Sequence, residues 1–397
     1  MITKKLESTI VWLLAAINFT HVLDFMIIMP LGPQLKRIFD LNPQEWSLLV
    51  SSYPFAAFFA SLGAIFVIDK IGRKKMLLLA FGGFIISTFL MALAPTFGLL
   101  LGARIIAGMF GGTTGTLLLT IVGDVVPLER RGTAMGKIMA GFSGAAALGV
   151  PFGIYFGTFY GWQMPFYTTG IISIFIFILA IFKIPSLKEH LLEKNPIRVP
   201  AAIKLIFKDK NITKSFLFLA LLIFGQFTIL PFLSPYMVSN VGFREDQLTY
   251  IYLFGGLLTV FSGPLIGKLG DKKGNTNIFI IWALISLIPI FLITRLGVAP
   301  IYYAITLTTL LFIFVGGRMI PALAIIISTA APEIRGVFMG IRAAVQQLAA
   351  GIAAYVAGLI MIENADGTYG NYEIVGLMAV GFSILSILIV KRIKIKY

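Results

Sequence analysis

Three ionisable side chains, Asp24, Arg104 and Arg318, stand within long apolar stretches of the sequence. Charges in such places are costly and usually functional. Desolvation opposes the charge of a buried carboxylate and a nearby guanidinium supports it. A carboxylate balanced between the two can take up a proton on one side of a barrier and release it on the other. Arginine stays protonated at any working pH, so Arg104 and Arg318 are fixed positive charges. They either neutralise Asp24 or hold an acidic part of a bound molecule, and a permanently ionised Asp24 paired with one of them is the plainer alternative. His21, one helical turn before Asp24, reads as a packing histidine before it reads as a proton relay. Arg342 lies where a long side chain can snorkel to a surface. Other chemistry is excluded by composition. The chain has no cysteine, so disulfides, thiol nucleophiles and thiolate metal sites are absent, and His21 and His190 alone leave little room for an imidazole metal site. Gly263-Pro-Leu-Ile-Gly267-Lys268 superficially resembles a phosphate loop, but three residues rather than four separate its glycines and Leu269 follows. No nucleotide, cofactor or metal is expected, and no enzymatic reaction.

The elements that carry these residues are membrane spans. Of 397 residues, 58% are hydrophobic and 12% charged, with mean hydropathy +0.95; a soluble domain has about 25% charged residues. Twelve apolar segments are predicted as spans one to twelve: 10–34, 44–68, 76–94, 97–123, 133–159, 164–182, 213–239, 246–267, 276–294, 299–329, 337–361 and 372–390. The run after Lys4 and Lys5 is too long for a signal core and lacks a small-residue cleavage pattern, so it is read as the first span. The polar stretch 183–212, with seven basic residues and Pro185, Pro196 and Pro200, is read as a linker carrying a short surface helix. It separates an N-terminal six-helix bundle, 1–182, from a C-terminal one, 213–397. With both termini cytoplasmic, 25 Lys and Arg fall on the cytoplasmic side and 4 on the other, which sets the orientation through the positive-inside rule. The formal charge of +15 is thereby assigned to cytoplasmic loops and the lipid bilayer rather than to nucleic acid.

The two halves repeat each other. Glu129-Arg-Arg-Gly-Thr-Ala-Met-Gly136 returns as Glu333-Ile-Arg-Gly-Val-Phe-Met-Gly340, and Asp69-Lys-Ile-Gly72 as Asp271-Lys-Lys-Gly274. Asp24-Phe25, Leu31 and Pro33 return as Gln226-Phe227, Leu233 and Pro235. Three matches at nearly one shift make a repeat. Six spans separate the copies, so the halves are parallel, an arrangement associated with alternating access around a site at mid-membrane.

These stretches carry a resemblance to the major facilitator superfamily over essentially the whole chain. Asp69-Lys-Ile-Gly72-Arg73-Lys-Lys75 is similar to that superfamily's loop signature, although the signature's leading glycine is Ile65 here. The second copy keeps the glycine, as Gly267, before Asp271 and Gly274. The resemblance implies a cytoplasmic latch of Asp69, Gly72 and Arg73, with Asp69 near the start of span eleven and Arg73 joined to Asp124 at the end of span four. Arg104-Ile-Ile-Ala-Gly108-Met-Phe-Gly111 resembles an element of proton-coupled members. Leu148-Gly149-Val150-Pro151-Phe152-Gly153 resembles the antiporter element of drug and sugar exporters, and Gly161-Trp162 follows as in those members, with Gln163 replacing the usual arginine. The resemblance therefore implies an all-α fold of twelve transmembrane helices in two pseudo-symmetric bundles. It further implies a monomeric drug:proton antiporter of a bacterial inner membrane, whose partners are protons and small amphipathic molecules. Spans one, four, seven and ten are expected around the cavity, with Asp24 and Gln226 on opposite sides and Phe25, Tyr53, Phe227 and Tyr236 as apolar surface. Asp24 and Arg104 are the expected proton-coupling pair, and Arg318 a substrate residue.

One buried carboxylate against two guanidiniums disfavours permanent cations as substrates, and neutral molecules fit best if Arg104 is taken up in helix packing. Export of a sugar or other metabolite, uniport, or a non-transporting receptor or scaffold on the same fold are the alternatives. The latch reading yields a first prediction. Asp69→Asn and Arg73→Ala should change labelling of single cysteines placed at cavity positions, in a chain that has none of its own. Unchanged labelling from both faces would count against the latch.

Overall fold

The computed structural model describes residues 4–67, 70–127, 130–187 and 199–394. Among them are twelve helices long and apolar enough to cross a membrane. Spans one to six are Lys4–Ile27, Pro43–Val67, Arg73–Ala92, Phe97–Val125, Arg131–Tyr160 and Met164–Lys183. Spans seven to twelve are Lys210–Ser239, Glu245–Lys273, Asn275–Ile293, Ile301–Ile327, Arg335–Ile360 and Tyr372–Val390. The protein is an all-helical membrane protein built of two six-helix bundles. Large apolar side chains such as Phe59, Leu79, Phe182 and Phe261 point outward, as they must where lipid is the solvent.

Two predicted segments are not continuous helices, and the reason is proline. The segment predicted as 10–34 ends as a helix at Ile27; a turn carries Pro30, and a separate helix, Gly32–Phe39, begins with Pro33 in its first turn. Span seven likewise divides into Lys210–Phe227 and Leu230–Ser239, with Pro231 opening the second piece. Proline lacks the N–H that an interior turn needs but suits a helix start. The breaks follow Phe25 and Phe227, the repeat-related positions, so the repeat extends to backbone shape. In the polar stretch between the halves, a helix over Val199–Lys208 buries Ala202 and Ile206 against span seven and span eleven. A small hairpin of two-residue strands, Ile362–Glu363 with Tyr369–Gly370, joins span eleven to span twelve; no apolar periodicity announces it.

Small residues set how closely the helices approach. Spans two and four meet at Gly112, where an added Cβ would lie 2.6 Å from the Ala57 carbonyl oxygen. The halves meet along two lines. Span two runs against span eleven over its whole length, with Ile65 packing on Gly340, Phe55 on Gly351 and Ser47 on Gly358. Span five meets span eight at Gly256, where a Cβ would lie 2.8 Å from the Ala146 carbonyl oxygen. Substituting Gly112 should therefore cost far more than substituting Gly263, whose nearest neighbour would be an Ile320 methyl at 3.5 Å. Gly112→Ala is expected to destabilise by about 1–3 kcal/mol, the usual cost of overpacking, and Gly263→Ala to have little effect. Thermal unfolding of the purified variants checks this, and equal midpoints would refute it.

Candidate functional site

The site begins with an orphaned carbonyl. At the end of span one the amide of Met29 bonds the Met26 carbonyl, at 3.3 Å, and Pro30 has no amide to give. Arg104 on span four supplies donors instead, Nη1 to the Asp24 carbonyl at 3.0 Å and Nη2 to the Phe25 carbonyl at 2.9 Å. Its Nη1 is also 3.5 Å from Asp24 Oδ2. Thr88 Oγ1 donates to Asp24 Oδ1 at 3.2 Å, and the guanidinium lies 4.6 Å from the Tyr53 ring centre. Asp24 and Arg104 are both fully buried. Sequence reasoning left Asp24 free to pair with either arginine; the fold gives it Arg104. Arg318 is equally buried but lies inside the second bundle, where its Nη1 donates to Ser286 Oγ and Ser383 Oγ at 3.0 and 2.8 Å.

Between the bundles lies a cavity of about 120 Å³, bounded by spans one, five, seven, eight and ten. Gln226, the repeat counterpart of Asp24, lines it with Met26, Phe142, Tyr252, Thr259 and Phe312. Among the described residues no carboxylate or guanidinium lines it: Asp24, Arg104 and Arg318 all sit behind its wall. Phe25 and Phe227 meet across the two halves with ring centres 6.0 Å apart. Tyr53 is buried beside Arg104, and Tyr236 packs at a tilt against Tyr372, ring centres 4.5 Å apart, away from the cavity. Tyr252, whose hydroxyl lies 2.8 Å from Ser234 Oγ, and Thr259 were not anticipated. The Gly255-Gly256 pair beside them in span eight was the signal available.

Span five shapes this cavity. Pro151 has no amide for the helix, and the chain accommodates it by a wider π-turn over Ala145–Gly149, in which the Val150 amide reaches back to the Ala145 carbonyl. Such turns bulge a helix and re-aim its faces. One face then packs on span one: a Cβ at Gly149 would lie 3.0 Å from Leu23, and one at Gly153 would collide with Ile27. The other presents Phe142 and Ala146 to the cavity.

At the termini-bearing face, Arg73 Nε donates to Asp124 Oδ2 at 2.7 Å, and Gly72 caps the start of span three. Asp69 lies outside the described residues, as does His190. Asp271 is exposed at the end of span eight, and Gly274, with φ 86°, turns the chain into span nine. Arg342 donates to Gln346 at 3.1 Å. At the opposite face the halves are clasped by Lys36 and Arg37, which enter the charge count only as loop charges, together with uncounted partners. Lys36 Nζ reaches Glu363 Oε2 at 2.9 Å and the Tyr369 hydroxyl across the divide. Arg37 pairs with Glu245, and Trp46 Nε1 donates to the Pro231 carbonyl at 2.9 Å. Burial holds the Lys36 ammonium below the ordinary lysine range, and the bond and charge of Glu363 push it back up.

Comparison with known proteins identifies the family of this fold. The profile of the Major Facilitator Superfamily matches residues 14–354 and, in a second alignment, 216–394. The chain belongs to this superfamily of membrane transporters, and is not an enzyme. A Bacillus subtilis (strain 168) protein, the uncharacterised MFS-type transporter YtbD, is 26% identical over 358 residues, 89% of this chain and 88% of its own length. A probable sugar efflux transporter of Helicobacter pylori (strain P12) is 27% identical over 254 residues, 64% of this chain and 63% of its own. Among solved structures, a D-xylose–proton symporter superposes with TM-score 0.78 at 18% identity over 97% of each chain. An inward-facing, unoccupied bacterial homologue of the human lysosomal transporter Spinster gives 0.72 at 14%, over 98% of this chain and 96% of that one. At these identities the structures speak to fold alone.

The clasp generates a prediction. Lys36→Met and Glu363→Gln should each loosen the face opposite the termini, because one leaves a half-exposed carboxylate and the other a buried ammonium without its charge partner. A single cysteine at Ser234, beside the cavity-lining Tyr252, should then react faster with a membrane-impermeant maleimide added to that face. Equal rates in parent and variants would rule the clasp out.

Proposed function

We propose that this transporter exports small amphipathic molecules in exchange for protons, by rocking its two halves about the cavity between them. The observation that carries this is a fully buried Asp24–Arg104 pair placed immediately behind a cavity wall that has no ionised group among the described residues. The pair and the wall share one piece of backbone. Arg104 grips the carbonyls of Asp24 and Phe25; the next residue, Met26, lines the cavity, and the Phe25 ring touches Phe227 of the other half. A proton on Asp24 removes the charge that Arg104 answers, loosens that grip, and so changes the wall and the contact between halves. Return of the substrate-free carrier restores the pair. The kinked fifth span, with its resemblance to exporters, supports outward transport, and the basic excess on the linker and terminal loops supports cytoplasmic termini in a bacterial inner membrane. Transmembrane voltage contributes about 2.3 kcal/mol per charge per 100 mV to any net inward charge movement.

Substrate charge follows from the wall. With Arg104 held in helix packing, no charge among the described residues faces the cavity, and neutral amphipathic compounds fit better than permanent cations. Arg318 stands one layer back, its Nη2 lying 3.2 Å from where a Cβ of the cavity-lining Gly225 would be. From there its field favours molecules with an acidic or strongly electronegative group. Sugar export is the second reading, favoured by Gln226, Tyr252 and Thr259 as hydroxyl-binding groups and by the name of the Helicobacter relatives.

Proteoliposomes with an imposed pH gradient test both. Neutral N-phenyl-1-naphthylamine should be carried, and a permanently cationic analogue should not. Asp24→Asn should abolish pH-driven movement in protein that still folds, while Arg318→Ala should selectively lose an acidic analogue. If the cation is carried best, or the Asp24→Asn variant keeps full pH-driven transport, the reading is wrong. A simple aldopentose carried in place of the dye establishes the second reading.

A further inference from the structure

A group of buried polar atoms beside the Asp24–Arg104 pair lacks firm partners. Both ring nitrogens of His21 and the hydroxyl of Tyr53 are buried without a hydrogen bond of good geometry, and Asp24 Oδ2 has none beyond its ionic contact with Arg104. Buried polar atoms are normally satisfied, and a histidine kept only for packing usually fixes its tautomer through one bonded nitrogen. The Gly111 backbone offers His21 one weak partner, which leaves its other ring nitrogen open. The His21 and Tyr53 atoms also converge. At Gly111 on span four, an added Cβ would collide with the Tyr53 hydroxyl and lie 2.9 Å from His21 Nε2. The missing side chain thus leaves one gap that both polar atoms enter. The Tyr53 ring in turn carries the Arg104 guanidinium at 4.6 Å, and that guanidinium is the partner of Asp24. His21 stands one helical turn before Asp24 on span one, nearer the end that carries the chain's N-terminus.

We propose that His21 is a second proton carrier of the transport cycle, exchanging a proton with Asp24 through the Tyr53 hydroxyl. The proposal rests on the reading that Asp24 takes up the transported proton. In the step, the carboxyl O–H of Asp24 breaks and its proton passes to the Tyr53 oxygen, while the phenolic proton passes to the free nitrogen of His21. A neutral acid and a neutral imidazole become carboxylate and imidazolium, and the tyrosine is unchanged. The carboxylate regains Arg104, and the imidazolium gives its proton to water toward the termini-bearing face. The opposite route is shut by the Lys36–Glu363–Tyr369 clasp. Among the groups facing His21, the Arg104 charge disfavours an imidazolium and so favours its onward release of the proton. Span two offers Tyr53, span four offers Arg104 with the backbone of Gly111 and Gly115, and span three offers Phe84; Asp24 is on its own helix.

The chain has two histidines, so His190→Gln leaves His21 as the only imidazole. In that protein, labelled with ¹⁵N-histidine and held in lipid nanodiscs, NMR should show His21 titrating within about pH 5 to 9. Its midpoint should move by about half a unit or more when Asp24→Asn or Tyr53→Phe is added. An imidazole that stays neutral throughout, or a midpoint indifferent to both changes, overturns the proposal; Tyr53→Phe keeps the ring that packs beneath Arg104, so it isolates the hydroxyl. His21→Gln should slow pH-driven movement of N-phenyl-1-naphthylamine by about tenfold or more, the scale of a lost proton-transfer group. Exchange of the same dye at equal pH on both sides should stay within about twofold of the parent, because exchange needs no proton release. If Asp24→Asn stops pH-driven transport while His21→Gln does not, the relay is wrong and the Asp24 reading stands. If Asp24→Asn leaves transport intact, both fall together.

Discussion

A buried charge with no water to turn to must find its answer within the chain, and in this protein that requirement organises the first bundle. Arg104 cannot lose its proton, so span four has to deliver it to acceptors. Asp24 provides a carboxylate, and the broken end of span one provides two carbonyls. The approach is possible because spans two and four are drawn together at Gly108 and Gly112, which brings Tyr53 beneath the guanidinium. A helix that ends in mid-membrane would ordinarily expose polar backbone to an environment that cannot solvate it. Here the break and the arginine satisfy one another. The same contact sets the position of Phe25 and Met26, and through them the wall of the central cavity.

The second bundle shows what the repeat kept and what it gave up. Span seven breaks after Phe227 as span one breaks after Phe25, so the pair of aromatic rings meets near the pseudo-symmetry axis. The carboxylate, however, has become Gln226, which needs no counter-charge and is free to face the cavity. Arg318 takes no equivalent place; it is anchored by serine hydroxyls on spans nine and twelve. One half therefore holds a titratable pair behind the wall, and the other offers a neutral polar group on its surface. On the proposed mechanism, that division places charge change and substrate contact in different layers of the molecule.

How much of this could be read from the sequence depended on the kind of signal. Apolar run length announced the twelve spans, and the offset of Asp24-Phe25 against Gln226-Phe227 announced the cavity position of Gln226. Apolar run length does not register backbone breaks, so a single span over 10–34 runs through the break into the first residues of the short helix Gly32–Phe39, although Pro30 and Pro33 are in plain view. Charge inside a span showed that Asp24, Arg104 and Arg318 mattered, but not which faced which, because facing depends on helix rotation fixed by distant packing. Placing those charges on the cavity wall was an inference from span number alone, and the structure puts them one layer behind it. The clasp was the least legible feature. Lys36 lies more than three hundred positions from Glu363 and Tyr369, and they meet only because the two halves do.

The Lys36–Glu363–Tyr369 part of the clasp sits in connecting segments, on the short helix after span one and the hairpin before span twelve, while the cavity wall is made by the spans themselves. Changes to one therefore need not disturb the packing of the other. On the proposed cycle, a substitution in the hairpin should alter how long the carrier dwells in one orientation without altering what it recognises, and a substitution at Met26 or Phe312 should do the reverse. Lineages carrying this architecture can shift turnover and selectivity by separate mutations, each acceptable without a compensating partner. The fold separates two traits that a single shared site would have forced to evolve together.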